Sequence, residues 1–469
     1  MSVPTAIWPI AGLLLVCASL PGCSETQPRS VILVTIDTLR GDRISTHGRR
    51  VTKPPVMAAL AARGRTYTHA YSASSSTAPS HASILTGLFP SWHTIGSING
   101  IRALHSSTDT LAEIFSDAGF RTGAIVSNPV LKASLGLDQG FETYDDQFEG
   151  SEIGRKIPER YADRAVDLSL AWLDSIGDEA FFLWLHLQDP HGPYAPPERH
   201  ACSEVSTDLT DLQLPAGTDH SGYEAIPRYQ LYRAERHVLE YQQRYDCEIS
   251  YTDQELGRLL DWVNEHSANR EILVAVSSDH GEAMGEEGFF FAHGHSLGLD
   301  QVHVPLILAG PGIAAGETVE MPVTNVALFA TILDFAGLPL PVEGAPPSLL
   351  RPKKATEIST FYMECLNQVA IVHGNALLRT DLRPATDLAF WQGGNPNSGG
   401  FWKPLGEQVV APLSPSLKVE DRAVDDARVL IARYINLAAE ARLVNADLIR
   451  GVDLPAEQRK ALESLGYIE

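Results

Sequence analysis

The chain has 469 residues, about three times a typical domain length, so one large domain with a smaller companion is expected. Its composition of 44% hydrophobic, 8% aromatic and 20% charged residues belongs to a folded globular chain and excludes disordered and fibrous classes. Fifty-eight acidic against 36 basic residues leave a net charge of −22, which repels phosphate backbones and excludes nucleic-acid binding through a basic face. An anionic small substrate then needs a local centre of positive potential, such as a bound cation or a helix N-terminus.

Residues 1–22 contain no Asp, Glu, Lys or Arg and hold an apolar run over Ile10–Val16. The run is too short to span a bilayer and predicts a signal peptide. Leu20-Pro21-Gly22-Cys23 resembles a bacterial lipoprotein cleavage box, with Cys23 becoming the lipid-bearing first residue; a plain signal peptide is the alternative. Either way the mature chain is expected in the periplasm or cell envelope, with membrane contact only through that anchor. If Cys23 is consumed, Cys202, Cys247 and Cys365 remain, and Cys202 with Cys247 is one conceivable bridge.

Downstream, Val31–Ile36, Ala124–Ser127, Phe181–Leu187, Ile272–Ser277 and Val304–Ala309 read as continuous apolar strands. Between them Met57–Arg63, Thr110–Ala118, Asp163–Ser175 and Leu239–His266 have helical patterns. This alternation predicts an α/β fold, a mostly parallel sheet sandwiched by helices. Irregular chain interrupts it at Pro193–Pro227 and at the Pro-rich Leu338–Lys354. The second stretch is the expected boundary between a catalytic domain over 30–345 and a smaller C-terminal α+β subdomain over 346–469, ending in a helix at Leu454–Leu465.

Ligands in open α/β sheets sit beyond the carboxyl ends of the strands. Val31–Ile36 exits into Asp37, Phe181–Leu187 into Asp189-Pro190-His191, and Ile272–Ser277 into Ser278-Asp279-His280. One such Asp is ordinarily a turn former or helix cap. Three at one sheet edge repel one another unless a cation neutralises them, so a divalent metal is the economical explanation. His293 and His295 lie just downstream as further imidazoles. Mixed carboxylate and imidazole donors favour zinc, with manganese or calcium as alternatives, and one ion or two.

The stretch Ser72 to Gly87 reads as a Ser-rich loop entering a short helix with Pro79 near its start. A hydroxyl at that helix start faces unsatisfied N–H groups and the positive end of the dipole, which places Thr77 as a candidate nucleophile. His81, four residues on, shares its face. A Thr hydroxyl is too basic to attack unaided and needs a metal to lower its pKa.

These residues resemble the sulfatase family of the alkaline phosphatase superfamily. The likeness covers roughly residues 30–345 and rests on five motifs in order: Asp37-Thr38-Leu39-Arg40-Gly41-Asp42; Pro79-Ser80-His81-Ala82-Ser83-Ile84-Leu85-Thr86-Gly87; Asp189-Pro190-His191-Gly192-Pro193-Tyr194; Ser278-Asp279-His280-Gly281-Glu282; and Val304-Pro305-Leu306-Ile307 running into Gly310-Pro311-Gly312. The resemblance implies an alkaline-phosphatase-like fold, metal ligation by Asp37, Asp279 and His280, and Thr77 at the nucleophile position. The pattern departs at three places. Sulfatases carry at position 77 a Cys or Ser that is oxidised to formylglycine and an Arg at position 81, and their Lys- and His-bearing motif, due near Val126-Ser127-Asn128-Pro129, is absent. A Thr ester must be attacked by water at the central atom, which phosphorus tolerates better than sulfur.

The expected activity is metal-dependent hydrolysis of sulfate or phosphate esters, with Thr77 and His81 catalytic. Asp37, Asp279 and His280 hold a metal; Asp189 and His293 hold a second ion or a proton-donating cluster; His191 and His295 contact substrate. Arg40 and Arg102 are as well explained by structural ion pairs. The substrate is a small anionic ester or a sulfated or phosphorylated glycan or lipid. The competing readings are a phosphodiesterase or phosphotransferase acting on cell-surface glycan or lipid, and a silent sulfatase-like protein that binds anions. Trp391 and Trp402 suit stacking on sugar and suit ordinary packing equally.

Overall fold

The computed structural model describes residues 29–44, 54–96, 102–152, 157–197, 200, 212–351, 358–365, 368–384, 402–412, 421–444 and 456. The expected signal peptide with Cys23, the helix at Leu454–Leu465, Trp391 and Cys202 lie outside these residues. Cys247 is disulfide-bonded and Cys365 is a free, buried thiol. Among the described residues no helix is long and apolar enough to cross a membrane.

An eight-stranded sheet organises the chain. Its strands are β1 (Ser30–Ile36), β2 (Arg65–Tyr67), β3 (Arg121–Ile125), β4 (Thr143–Asp145), β5 (Phe181–Leu187), β6 (Ile272–Ser278), β7 (Leu306–Ala309) and β8 (Glu317–Val319). The order across the sheet is β8-β2-β7-β6-β1-β5-β3-β4. All neighbours run parallel except the two pairs made by β7. The expected strand at Ala124–Ser127 begins earlier, at Arg121, because Thr122 and Gly123 already pair with β5.

The central strands are apolar throughout because both faces are covered. Ile32, Val34, Ile36, Leu185, Leu187 and Val276 pack on one face against helices α4 (Ala162–Ser175) and α5 (Val238–His266). Val31, Leu33, Trp184 and Ala275 pack on the other against α2 (Thr77–Thr86), α3 (Leu111–Asp117) and α6 (Leu328–Ala336). Each such side chain contributes about 1.5–3 kcal/mol by leaving water. Successive residues of a strand point to opposite faces, so parity alone assigns each residue to one helical layer. The remaining outer helix, α1 (Pro55–Arg63), opens with Pro55 at its first position and docks through Asp253 of α5, whose carboxylate accepts the Val56 and Met57 N–H groups.

The C-terminal part is a four-stranded antiparallel sheet of β9 (Thr360–Cys365), β10 (Gln368–His373), β11 (Ala376–Pro384) and β12 (Trp402–Pro412), followed by α7 (Asp421–Val444). One sheet face packs through Phe361, Met363 and Val372 on Tyr71, Leu297 and Val302 of the main part. Ile371 and Leu378 on the other face meet Ala427, Ile431 and Tyr434 of α7. The buried Glu364 carboxylate joins the parts, accepting from the Ser91 N–H and hydroxyl and from the Tyr434 hydroxyl.

Candidate metal and nucleophile site

Register fixes the site. Ile36 lies opposite Leu187 on one side and Ser278 on the other, so β1, β5 and β6 end at one level. Asp37 and Asp279 leave that edge with the parity of Val31, Leu33 and Ala275, the face covered by α2. Helix α2 starts at the same place: Thr77 is its first residue, every residue from Thr77 to Thr86 is buried, and Gly87 closes it with φ 71°, a left-handed conformation that favours glycine. Thr77 is thereby held over the two strand ends.

Each carboxylate is clamped through one oxygen and leaves the other open. Asp37 Oδ2 accepts the Asn128 side-chain N–H at 2.8 Å, while its Oδ1 has no hydrogen-bond partner. Asp279 Oδ1 accepts the backbone N–H groups of Thr38 at 3.2 Å and His280 at 2.9 Å, while its Oδ2 has no partner. His280 Nδ1–H donates to the Gly281 carbonyl at 2.9 Å, which presents Nε2 as the lone-pair nitrogen. That nitrogen stands 3.4 Å from Asp279 Oδ2, 3.8 Å from Asp37 Oδ1 and 3.1 Å from the Thr77 hydroxyl. Asp37, Asp279 and His280 bring one donor atom each within 4.8 Å of one another. Burial pushes Asp37 up to about 6, the behaviour of a carboxylate that lacks a counter-charge. Two open anionic oxygens beside an oriented imidazole nitrogen fit a divalent cation. The mixed oxygen and nitrogen donors suit zinc or manganese better than an all-oxygen cage would.

A second cluster, His81, His186 and Asp279, has donor atoms equally close together, but its protons are committed. His81 Nδ1–H donates to the Thr77 carbonyl at 2.8 Å, and Nε2 accepts from the Thr35 hydroxyl at 3.0 Å, whose oxygen in turn accepts the Trp184 N–H. Both His81 nitrogens are used, and burial lowers its pKa to about 3, so the ring is neutral. In this arrangement the His81 ring ties the start of α2 to β1. His186 accepts the Ser127 N–H at Nδ1, so its Nε2 carries the ring proton and is no metal ligand; that nitrogen lies 3.5 Å from Asp37 Oδ2 without a hydrogen bond.

The remaining expected residues divide. His293 and His191 lie over the cluster, with the His293 ring 4.5 Å from His280 and 5.1 Å from His191. His293 Nδ1 bonds Glu282 Oε1 at 3.0 Å, and Glu282 Oε2 accepts from Tyr194. Burial raises Glu282 to about 8. Asp189 is placed away from the cluster: its Oδ2 accepts the Ala162 N–H at the first turn of α4, and its carbonyl accepts the Thr252 hydroxyl, because its parity is that of Leu187 and turns it to the opposite layer. The His295 ring stacks on Phe289 at 3.8 Å, and its Nε2 accepts from Gln301. Arg40 is consumed by Asp42, Glu286 and the Glu282 carbonyl. Asn128, His186 and Glu282 went unread as site residues. Strand parity with Thr35 was the available signal for His186, and Glu282 stood inside a recognised motif.

The sulfatase family profile matches residues 29–338, well over half of the chain. The chain belongs to the sulfatase family. Arylsulfatase K of Rattus norvegicus is 29% identical over 363 residues, which cover 69% of this chain and 62% of that relative, a little under two thirds of its length. Among solved structures, the phosphonate monoester hydrolase of Agrobacterium radiobacter superposes with a TM-score of 0.63 at 17% identity, covering 88% of this chain and 96% of its own. A protein solved with its substrate D-glucosamine-2-N,6-O-disulfate matches with a TM-score of 0.63 at 17% identity, covering 93% and 99%. Both likenesses establish the alkaline-phosphatase-like fold.

Proposed function

We propose that the protein is a metal-dependent hydrolase of sulfate or phosphate esters with Thr77 as nucleophile. The observation that carries this reading is the Thr77 hydroxyl 3.1 Å from His280 Nε2, at the first turn of a buried helix and beside two open carboxylate oxygens. The relatives' names support the substrate class: an arylsulfatase, a phosphonate monoester hydrolase and a protein acting on a disulfated glucosamine. Thr at position 77 favours phosphorus esters within that class, because the threonyl ester is opened only by attack at the central atom.

Asp37, Asp279 and His280 would hold the cation. When bound, it supplies charge for the two carboxylates and acidifies the Thr77 hydroxyl. The N-terminus of α2 orients its N–H groups toward the anion. The Thr77 hydroxyl proton passes to solvent as Oγ bonds the central atom, and the bond to the leaving alcohol oxygen breaks. That oxygen takes a proton from His293, which Glu282 orients. Water then attacks the central atom of the threonyl ester and gives a proton back to His293; Thr77 Oγ leaves, takes a proton from solvent to restore the hydroxyl, and the inorganic anion is released.

Thr77→Ala is expected to lower kcat by about 10³-fold or more on a chromogenic panel of sulfate esters, phosphate monoesters and diesters, and phosphonate monoesters, with metal content unchanged. Retained turnover in that variant removes the covalent route. Turnover that needs an added alcohol acceptor assigns the same threonine to group transfer.

A further inference from the structure

Asn128 lies in the stretch Val126-Ser127-Asn128-Pro129, near which the resemblance would place a Lys-bearing motif, and its surroundings give it a task of its own. The residue is buried at the end of β3, one step after Ser127, and every polar atom of its side chain is assigned. Its Oδ1 accepts the Val130 N–H at 3.0 Å and caps the short turn Pro129–Leu131. That contact settles which end of the amide is which, so Nδ2 is the atom that donates to Asp37 Oδ2 at 2.8 Å. The strand end carrying Asn128 is fixed in turn by Arg160. Its guanidinium donates to the Val126 carbonyl, to Asp145 and to the Gln147 carbonyl, and its backbone N–H donates to Ser127.

We infer that Asn128 is a positioning residue for the cation site, holding Asp37 so that only Oδ1 is offered to the metal. The argument is one of lone pairs. A free carboxylate can turn about its last torsion and present either oxygen or both. With Nδ2–H on Oδ2 at 2.8 Å, the rotation is restrained and Oδ1 is the oxygen that faces Asp279 Oδ2 and His280 Nε2. A neutral amide does this without adding charge. A lysine at the same place would neutralise Asp37 and compete with the cation for it. Outer partners of metal-bound carboxylates typically change metal affinity by about 10- to 100-fold.

Two substitutions separate this role from the cap. Asn128→Ser keeps an oxygen that accepts the Val130 N–H, since serine is a good capping residue, but is too short to reach Asp37. Asn128→Ala loses both contacts. The full chain is stripped with chelator and titrated with Zn²⁺ alone, and separately with Mn²⁺ alone, against a fluorescent competitor; thermal melting of the metal-free protein is followed in parallel. Expected is a dissociation constant about 10- to 100-fold weaker in both variants, with the metal-free melting temperature lowered further in Asn128→Ala, which also loses the cap, than in Asn128→Ser. Wild-type affinity in Asn128→Ser overturns the inference, and that variant decides the matter even if Asn128→Ala does not fold. The inference rests on the cation site of the proposed function. Wild-type protein that binds neither ion defeats that reading, whereas tight wild-type binding with an unaffected Asn128→Ser defeats this one alone.

Discussion

Asp37 and Asp189 leave adjacent strands within one residue of the same level, yet they serve opposite layers of the molecule. Asp37 faces α2, has one oxygen bonded and one open, and stands in the cluster with His280 and Thr77. Asp189 faces α4 and α5, where its carboxylate accepts the Ala162 N–H in the manner of a cap supplied from another strand. Burial raises both acids, Asp37 to about 6 and Asp189 to about 7, so a perturbed pKa does not tell them apart. What separates them is parity along the strand, which sets the layer each carboxylate faces.

That distinction can be tested by removing acids and imidazoles from each layer. Asp279→Asn should have the largest effect. It keeps the Thr38 and His280 contacts within reach but replaces an open anionic oxygen with an amide, and stoichiometric Zn²⁺ binding measured after dialysis should be lost. Next comes His81→Phe, which retains the ring volume and leaves the Thr77 carbonyl and Thr35 hydroxyl without their partner. A loss of about 1–3 kcal/mol in urea unfolding is expected, with Zn²⁺ affinity unchanged. A large fall in metal affinity would place His81 in the ligand set. The smallest change is expected for Asp189→Asn. An acid whose native pKa is raised from 3.8 to about 7 binds its proton more tightly in the folded state, so it lowers stability progressively as pH rises from about 4 to 7. The amide cannot titrate, so the urea midpoint of the variant should depend less on pH across that window while Zn²⁺ titration matches wild type. Altered Zn²⁺ affinity there would break the contrast between the two layers.

The same contrast marks how far the sequence could be read. Apolar runs ending in Asp or Asp-His located β1, β5 and β6 and named Asp37, Asp279, His280 and Thr77, because buried parallel strands and a helix-entry hydroxyl leave strong local patterns. Asp189 stands apart from that group because a strand exit gives the edge of the sheet and says nothing about the face. Counting by twos from Leu187 would have sent it to α4, and counting from Thr35 would have brought His186 to the site. Asn128 was noticed only as a missing lysine, since its value comes from a side-chain bond to a residue 91 positions away. Helix α7 escaped because its apolar stripe, Ala427, Ile431, Tyr434 and Ala438, lies among many charges and becomes meaningful only against the C-terminal sheet.

The Glu364 carboxylate has a consequence for how this chain can be divided. It accepts two hydrogen bonds from Ser91, in the short segment that follows α2, and one from Tyr434 on α7. A chain cut at the Pro-rich boundary would strand the Ser91 hydroxyl and strip cover from Phe89 and Trp92, which rest on Tyr362 and Tyr434. For expression and domain exchange, the two parts are one inheritable unit, and a swap of the C-terminal part must carry a partner for Ser91 with it.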